Sequence, residues 1–202
     1  MAEPKGLVFK VAGTPEEFEQ IHALNYRTFV EEIPQHAANP ERKLIDRFHE
    51  QNTYIVCLRG KRLVGMMALR ADRPFSLDAK VPALDSYLPG GRSVGEVRLM
   101  AVEPGERRGR VFWGILRLGW EYSRGRGWNL FVASCSVRQM KLYRHLGFVP
   151  FGPLVGRPEA LFQPMYITLE AFEERAHAIE ARARIGVGVA KARRTRALPA
   201  TG

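Results

Sequence analysis

The residues that could do chemistry are concentrated in the middle of the chain. The apolar run Ser93–Val102 carries Glu96 and Arg98, and a carboxylate on such a strand can act as a general base. The segment Glu106–Arg110 places three arginines and a glycine at the start of a predicted helix, where backbone amides and guanidinium groups bind anions. Tyr143 lies on a later predicted helix, and its hydroxyl can donate a proton or a hydrogen bond.

Each of the two candidates for proton transfer also has a structural alternative. Glu96 could instead form a structural ion pair with Arg98 or with another arginine. Tyr143 could be a core residue on the inner face of its helix.

The periodicity of apolar residues predicts the elements that position these side chains. Thr14 and Glu17 form a capping box with Pro15 at the first helical position, so a helix begins there and should end before Pro34. The predicted strands are 7–11, 53–58, 63–70, 93–102, 130–134, 148–154 and 161–169; the later helices are 108–126 and 137–146, with a helical turn at 43–48 and a loop at 155–159. The order β-α-β-β-β-α-β-α-β-β predicts an α/β (α+β) fold, with a central mixed sheet flanked by helices on both faces.

The connection between residues 72 and 92 has no regular pattern and contains three prolines and two glycines. A connection of this length inside a compact domain is unusual and is often functional.

Composition predicts one folded domain with a tail. The chain has 202 residues, 46% of them apolar and 26% charged, which favours a domain over 1–172 followed by a basic helix and a disordered tail over 173–202. No apolar run is long enough to span a membrane and no secretory signal is visible, so we expect a cytoplasmic protein. Cys57 and Cys135 lie in apolar runs, which favours buried reduced thiols over a disulfide. The two cysteines have no metal-ligand spacing, and His22 and His49 are lone histidines, so no metal is assigned.

The chain is strongly basic, with a formal net charge of +10. After Phe172, seven Arg and Lys residues against three Glu give a net +4, so the preceding residues carry +6. A basic body suggests an acidic partner: a phosphorylated cofactor, an acidic carrier protein, a membrane surface or nucleic acid. The alternative is a generally basic proteome.

The central segments resemble the donor-binding core of the GNAT acyltransferases. The resemblance is carried by the run from Glu96 to Pro104 (EVRLMAVEP) and by Leu142–Phe148 (LYRHLGF), and it extends over about residues 7–170. In that family the fourth strand and the following helix N-terminus bind the pantetheine and pyrophosphate of an acyl thioester. The amides of pantetheine can pair with a strand edge as another strand would. The resemblance implies donor contacts from Leu99, Met100, Ala101 and Val102 on the strand and from Arg107, Arg108, Gly109 and Arg110 at the helix.

The glycine pattern of the family's pyrophosphate loop, Gln/Arg-x-x-Gly-x-Gly/Ala, is satisfied in no register of this sequence. With Gly109 as the first glycine, Val111 occupies the last position, where a bulky side chain is expected to hinder the approach of a diphosphate. One branch of the superfamily tolerates such a loop: the autoinducer synthases and the N-acyl amino acid synthases. They take acyl chains from acyl carrier protein, where a single phosphodiester replaces the ADP of CoA.

The N-terminal half also resembles that branch. Tyr26–Glu32 is similar to its Arg-Tyr-x-Val-Phe-x-x-Glu helix end, and Asp46–His49 is similar to its Asp-x-Phe-Asp segment. Asn25 stands where the autoinducer synthases place an arginine, Pro34 lies near the place of their tryptophan, and His49 replaces the second aspartate. These differences favour an amine acceptor other than the one that gives a homoserine lactone.

The resemblance implies a role for each candidate residue. Glu96 would accept a proton from the acceptor amine, directly or through water, and Tyr143 would protonate the leaving thiolate. Arg27 and Arg98 would hold an acceptor carboxylate and Asp46 an acceptor ammonium, with surface or structural roles as the alternative. The co-substrate would be acyl-ACP or acyl-CoA, with no permanently bound cofactor.

We therefore expect an N-acyltransferase that moves a fatty acyl group from an acidic acyl carrier protein to the amine of an amino acid or related small molecule. One alternative is an acetyl-CoA-dependent N-acetyltransferase of a small amine or a protein N-terminus. The other is a basic, non-enzymatic protein that binds nucleic acid through its tail, although a nucleic-acid partner is not the expectation.

Overall fold

Eight strands form one sheet in the computed structural model, which describes residues 6–107, 109–158 and 160–178. The strands are β1 (Leu7–Val11), β2 (Thr53–Arg59), β3 (Arg62–Arg70), β4 (Val94–Val102), β5 (Leu130–Ser136), β6 (Val149–Pro150), β7 (Val155–Arg157) and β8 (Ala160–Thr168). The α-helices are α1 (Pro15–Tyr26), α2 (Arg110–Arg124), α3 (Met140–His145) and α4, residues 169–178. A π-helical segment, Arg27–Glu32, continues α1, and short 3-10 turns occupy His49–Gln51, Leu84–Tyr87, Pro104–Glu106 and Val137–Gln139.

The sheet is mixed, as predicted. Its order is β1-β2-β3-β4-β5-β8-β6, with β7 paired to β8, and β4 and β5 run parallel while the other pairs among the described strands are antiparallel. The parallel pair is the place where the connection through α2 returns the chain to the sheet.

Side chains of the central hairpin alternate between two helical layers, because successive residues of a strand face opposite sides. One face is packed with α1 through Tyr54, Val56, Met66, Ala68, Ile21 and Leu24. The other face is packed with α2 through Ile55, Cys57, Met67, Leu69, Val111 and Ile115. The predicted helices on both faces of the sheet are therefore confirmed.

The start of α1 follows its sequence signals. The Thr14 hydroxyl accepts a hydrogen bond from the Glu17 amide at 3.3 Å, and the Glu17 carboxylate accepts one from the Gly13 amide at 2.8 Å. Pro15 is the first helical residue, and the helical segment ends at Glu32, with the extended Ile33 as its C-cap residue before Pro34. The predicted capping box and helix end are confirmed.

Three local predictions were wrong. Residues 43–46 are irregular instead of helical, because the Leu44 amide donates to the His22 carbonyl at 3.0 Å and tertiary contacts hold the segment. The predicted loop at 155–159 contains β7, which pairs with β8. The predicted strand 148–154 is reduced to Val149–Pro150, because the chain bends at Gly152, which has a positive φ of 57°, and the following Pro153 has no amide to donate.

The helix α4 packs against α2. Phe172 is buried, with its ring 4.3 Å from the ring of Trp120 and 5.9 Å from that of Trp113. The predicted C-terminal helix is thus present as far as residue 178, and the rest of the predicted helix and tail, 179–202, lies outside the described residues. The division into a domain at 1–172 and a tail at 173–202 stays a prediction. In the part of the chain that the structure describes, no helix has the length and apolar character needed to cross a bilayer.

Both cysteines are free thiols in the core, as expected. Burial raises the pKa of the Cys57 thiol to about 11 and that of Cys135 to about 12. Because the thiolate is the reactive form, we expect neither residue to react with a thiol-specific reagent at pH 8 in the folded protein, and both to react in denaturant. A colorimetric thiol titration checks this, and stoichiometric labelling of the native protein at pH 8 would contradict it.

Candidate active site

The candidate site lies where β4 and β5 separate. Their parallel pairing extends only from Val94–Leu130 to Val97–Ala133 among the described residues. Against β3, the register of β4 shifts by one residue between Arg98 and Ala101, and Leu99 in this interval has a positive φ of 50°. An extra residue of this kind is a β-bulge, which bends a strand. The bend turns the second half of β4 away from β5 and exposes a strand edge.

A cavity of about 810 Å³ opens at this edge. Its described lining includes all four predicted strand contacts, Leu99, Met100, Ala101 and Val102. It also includes apolar residues from the other walls: Phe29, Ile33, Phe112, Leu142 and Phe162. The middle of β4 lines this cavity and is therefore only partly buried. The space is large enough for an extended chain with an apolar end.

The start of α2 forms one end of the cavity. Gly109 lines the cavity with a φ of 92° and precedes the first turn of α2, whose amides have no side-chain cap among the described residues. Arg107 also lines the cavity, but its guanidinium makes two hydrogen bonds to Glu32, at 2.6 and 2.5 Å, and a third to the Val102 carbonyl at 2.9 Å. The hydrogen bonds from Arg107 lower the pKa of the Glu32 carboxyl. Arg110 is exposed, and Arg108 lies outside the described residues.

The expected obstruction by Val111 is wrong. Its side chain is 1% exposed and packs into the core against Gly65, where a Cβ added to the glycine would lie 2.6 Å from a Val111 methyl group. Val111 therefore points away from the loop, and its bulk does not prevent a phosphate from approaching the helix N-terminus.

Glu96 is buried beside the cavity without being among the described residues that line it. Its side chain is 1% exposed. The Ser76 amide donates to both carboxylate oxygens, at 2.9 and 3.1 Å, and the Ser76 hydroxyl donates to one of them at 2.5 Å. The Arg98 guanidinium lies 3.5 Å away, so the predicted contact between Glu96 and Arg98 exists but is the longest of the set.

Arg98 and Asp46 meet on the cavity wall. The guanidinium of Arg98 donates to the Asp46 carboxylate at 2.7 Å, and Asn52 donates to the other oxygen of Asp46 at 2.6 Å. Asn52 also donates to the Tyr54 hydroxyl at 3.2 Å, and burial raises the pKa of Tyr54 to about 12, so this hydroxyl remains neutral. Two of the three predicted acceptor residues are therefore in contact.

The guanidinium groups of three arginines lie close to the ring of Phe48. The central carbon of Arg70 lies 4.0 Å from the ring centroid, that of Arg47 lies 4.5 Å from it, and that of Arg98 lies 4.8 Å from it. Cations over an aromatic face are stabilised by its negative charge density, and more so when they are desolvated. The contact with Phe48 fixes Arg98 in the cavity wall. Its Nε atom is buried and has no hydrogen-bond partner among the described residues.

Arg27 lies apart from this pair. Its guanidinium donates to Glu103, just beyond the end of β4, at 2.5 Å, and Arg27 is not among the described residues that line the cavity. The structure therefore does not bring Arg27 together with Arg98 and Asp46.

Tyr143 lines the cavity from α3, opposite β4. Its ring packs edge-on against Phe148 at 5.2 Å, and burial raises the pKa of its hydroxyl well above the ordinary value for tyrosine. The hydroxyl is thus a neutral donor in the range where the protein would work.

Two polar partners of the site's carboxylates were missed from the sequence. Ser76 and Asn52 lie outside the regular elements, and their partners, Glu96 and Asp46, are 20 and 6 residues away in the chain. The one available signal was the length of the connection 72–92, which contains Ser76. Lys80 of the same connection also lines the cavity, and burial, followed by the nearby charge of Arg98, lowers its pKa.

The fold and this cleft define a GNAT-like acyltransferase. A family model described as "N-acyl amino acid synthase FeeM" matches residues 20–168, so the chain belongs to this family and is an N-acyltransferase. The resemblance found in the sequence is therefore confirmed. No curated protein matches the sequence.

Solved structures share the fold. A CoA-dependent acyl-homoserine lactone synthase, BjaI, with SAM and isopentyl-CoA has a TM-score of 0.70 at 18% identity, over 87% of this chain and 90% of that chain. FeeM, an N-acyl amino acid synthase from uncultured soil microbes, has a TM-score of 0.67 at 16% identity, over 84% of this chain and 94% of that chain. An aminoglycoside 6'-N-acetyltransferase complexed with coenzyme A has a TM-score of 0.58 at 12% identity, over 80% of this chain and 97% of that chain.

Proposed function

We propose that this protein transfers a fatty acyl group from the pantetheine thioester of an acyl carrier protein to the amine of an amino acid or a related small molecule. The observation that carries the proposal is the cleft between β4 and β5, with Glu96 behind one wall and Tyr143 on the opposite wall. A pantetheine arm laid along Leu99–Val102 would place its thioester between these two groups. The membership in the FeeM family supports the amino acid as acceptor.

The charge at the start of α2 supports a carrier-bound donor. CoA brings a diphosphate and a further phosphate, whereas a carrier arm brings one phosphodiester. The positive charge of Arg107 is balanced by the Glu32 carboxylate through two hydrogen bonds. Less net positive charge is therefore available to bind the phosphates of a nucleotide. The net charge of +10 supports an acidic protein partner that is steered to the cleft.

The wall opposite the donor end supports an amino acid acceptor. Asp46 offers a carboxylate to an ammonium, and the guanidinium of Arg98 belongs to the same cavity lining. A carboxylate is the usual partner of such a guanidinium. The cation Lys80 lies on the same lining.

In the proposed reaction, Glu96 accepts a proton from the acceptor ammonium and the neutral amine attacks the thioester carbonyl. The C–N bond forms, the C–S bond breaks, and the electron pair of the broken bond leaves on sulfur. Tyr143 donates its proton to that sulfur and is reprotonated by the second proton that the nitrogen loses. Asp46 and Arg98 orient the acceptor so that its amine is the only nucleophile near the carbonyl.

A second candidate, N-acetylation from acetyl-CoA, is favoured by one observation. Val111 points into the core and the amides at the start of α2 carry no side-chain cap among the described residues, so a diphosphate has access to them.

The deciding experiment offers the purified protein matched donors and one acceptor mixture. Acyl carrier proteins loaded with chains of different length, the corresponding acyl-CoAs and acetyl-CoA are each incubated with the common amino acids, and amide products are measured by mass spectrometry. The carrier proposal expects long-chain N-acyl amino acids from the carrier-bound donors. Product from acetyl-CoA alone, with stabilisation of the protein by CoA in thermal denaturation, would establish the second candidate.

Replacing Tyr143 by phenylalanine is expected to lower kcat by roughly 10- to 100-fold, since a hydrogen bond to a developing charge is worth about 1.5–3 kcal/mol. Because the pKa of Tyr143 is raised, the wild-type rate should show no loss from tyrosine ionisation below about pH 9. The control is Tyr122→Phe, which removes a hydroxyl from α2 that contacts Thr53 at 3.2 Å. Equal rates for wild type and Tyr143→Phe would exclude Tyr143 as the acid.

A further inference from the structure

The proposed base does not itself reach the described surface of the cavity. Glu96 is 1% exposed, whereas Ser76 lines the cavity and contacts Glu96 with both its amide and its hydroxyl. Ser76 and Arg98 both belong to the described lining and contact Glu96, and of these two residues Ser76 alone has an oxygen that can accept a proton as well as donate one.

The hydrogen-bonding capacity of Ser76 suits a proton transfer from the cavity to Glu96. A serine hydroxyl has one donor and two acceptor lone pairs. The donor is directed to Glu96 at 2.5 Å, so toward other partners the oxygen can act only as an acceptor. A protonated amine offers only N–H donors. The Ser76 hydroxyl can therefore accept a hydrogen bond from the protonated amine of the substrate.

The position of Ser76 is fixed by its neighbours in the chain. Phe75 and Leu77 on either side are 2% and 0% exposed, and both belong to an apolar cluster with Leu130 and Val132 of β5. The Phe75 amide donates to the Asp78 carboxylate at 2.6 Å. A donor held in this way needs no rearrangement before the proton moves, which is how preorganised sites lower barriers.

We infer that Ser76 is a catalytic residue of the proposed acyl transfer, relaying a proton from the acceptor amine to Glu96. This inference rests on the proposed function. A nitrogen proton passes to Ser76 Oγ while the hydroxyl proton of Ser76 passes to the Glu96 carboxylate, which later releases it to solvent. The neutral amine then forms the C–N bond as the C–S bond breaks, and sulfur takes a proton from Tyr143. The second proton that nitrogen loses restores Tyr143, so Ser76 and Glu96 end the cycle unchanged.

The first test is Ser76→Ala, which removes the hydroxyl and keeps the amide that donates to both oxygens of Glu96. We expect kcat to fall by roughly 100-fold or more, the scale of a lost proton-transfer path, with little change in donor affinity. Ser76→Thr keeps a hydroxyl and should recover most of the loss. Ser86→Ala is the matched control, because this exposed serine of the same connection bonds only to the Ala83 carbonyl in the described structure. Thermal denaturation shows whether each variant is folded.

A double-mutant cycle separates a relay from two independent effects. If Ser76 and Glu96 act in one proton path, Ser76→Ala combined with Glu96→Gln should be no slower than Glu96→Gln alone. Additive losses, or a folded Ser76→Ala protein with wild-type kcat, would overturn the relay while wild-type acyl transfer still stood. Failure of Ser76→Thr to recover activity in a folded protein would also count against it. If the wild type forms no amide from any donor, the proposed function fails and the relay fails with it.

Discussion

Replacing Glu96 by glutamine is expected to lower kcat for acyl transfer by roughly 10²- to 10⁴-fold, the usual effect of removing a general base. Glutamine has nearly the same shape, and its carbonyl oxygen can still accept a hydrogen bond from the Ser76 amide, so the wall of the cleft should persist. What is lost is the negative charge that takes up the proton. The measurement is steady-state kinetics with the donor and acceptor identified by product analysis.

The matched control is Glu103→Gln. Glu103 directly follows the same strand, is also mostly buried, and pairs with Arg27 instead of facing the cleft. We expect its kcat to remain within about threefold of wild type, since it lacks a role in proton transfer. Equal losses of kcat in both variants would show that the effect comes from removing one negative charge from the domain and not from removing a base at position 96. A fully active Glu96→Gln protein would remove Glu96 from the mechanism.

Replacing Arg98 by methionine is expected to lower the free energy of unfolding by about 3–5 kcal/mol, the cost of leaving buried charges without a partner. Arg98 is 12% exposed and bridges Asp46, 7% exposed, and Glu96, 1% exposed. Its guanidinium also stacks on Phe48. Methionine keeps much of the volume but none of these contacts. Chemical denaturation at neutral pH measures the change.

The control for Arg98 is an ion pair on the surface. Arg42 contacts Glu31 with side chains that are 68% and 38% exposed, so Arg42→Met should cost less than about 1 kcal/mol. Asp46→Asn in the Arg98→Met background should restore part of the stability, because it removes one of the orphaned charges. If Arg98→Met is no less stable than Arg42→Met, the Asp46–Arg98–Glu96 contacts do not stabilise the fold.

Much of the architecture follows from local patterns. The apolar runs 53–58 and 63–70, joined by a tight turn, predicted the central hairpin, and the capping box at Thr14 predicted where the first helix begins. Both depend on neighbours within a few residues, which the sequence displays directly. The same holds for the run around Glu96 and for Tyr143, whose residue types and separation indicated an acyltransferase cleft.

Three of the errors in the sequence predictions share one origin. The irregular segment at 43–46, the strand β7 and the inward direction of Val111 all depend on groups far away in the chain or on which face of a helix meets the sheet. Local propensity does not encode these contacts, because their free energy is gained only when distant segments pack.

The sequence by itself determined the family, the order of the elements and the two residues on opposite sides of the cleft, since all of these are written in short runs of residue types. Only the tertiary structure decided which groups of the site contact one another and which of them reach the cavity. The bulge at Leu99 opens the cleft, Glu32 occupies Arg107 from 75 residues away, and Ser76 stands between Glu96 and the cavity. The physical reason is that a buried charge must find partners wherever the fold brings them, and the nearest partner of Glu96, Ser76, comes from a connection and not from a neighbouring strand.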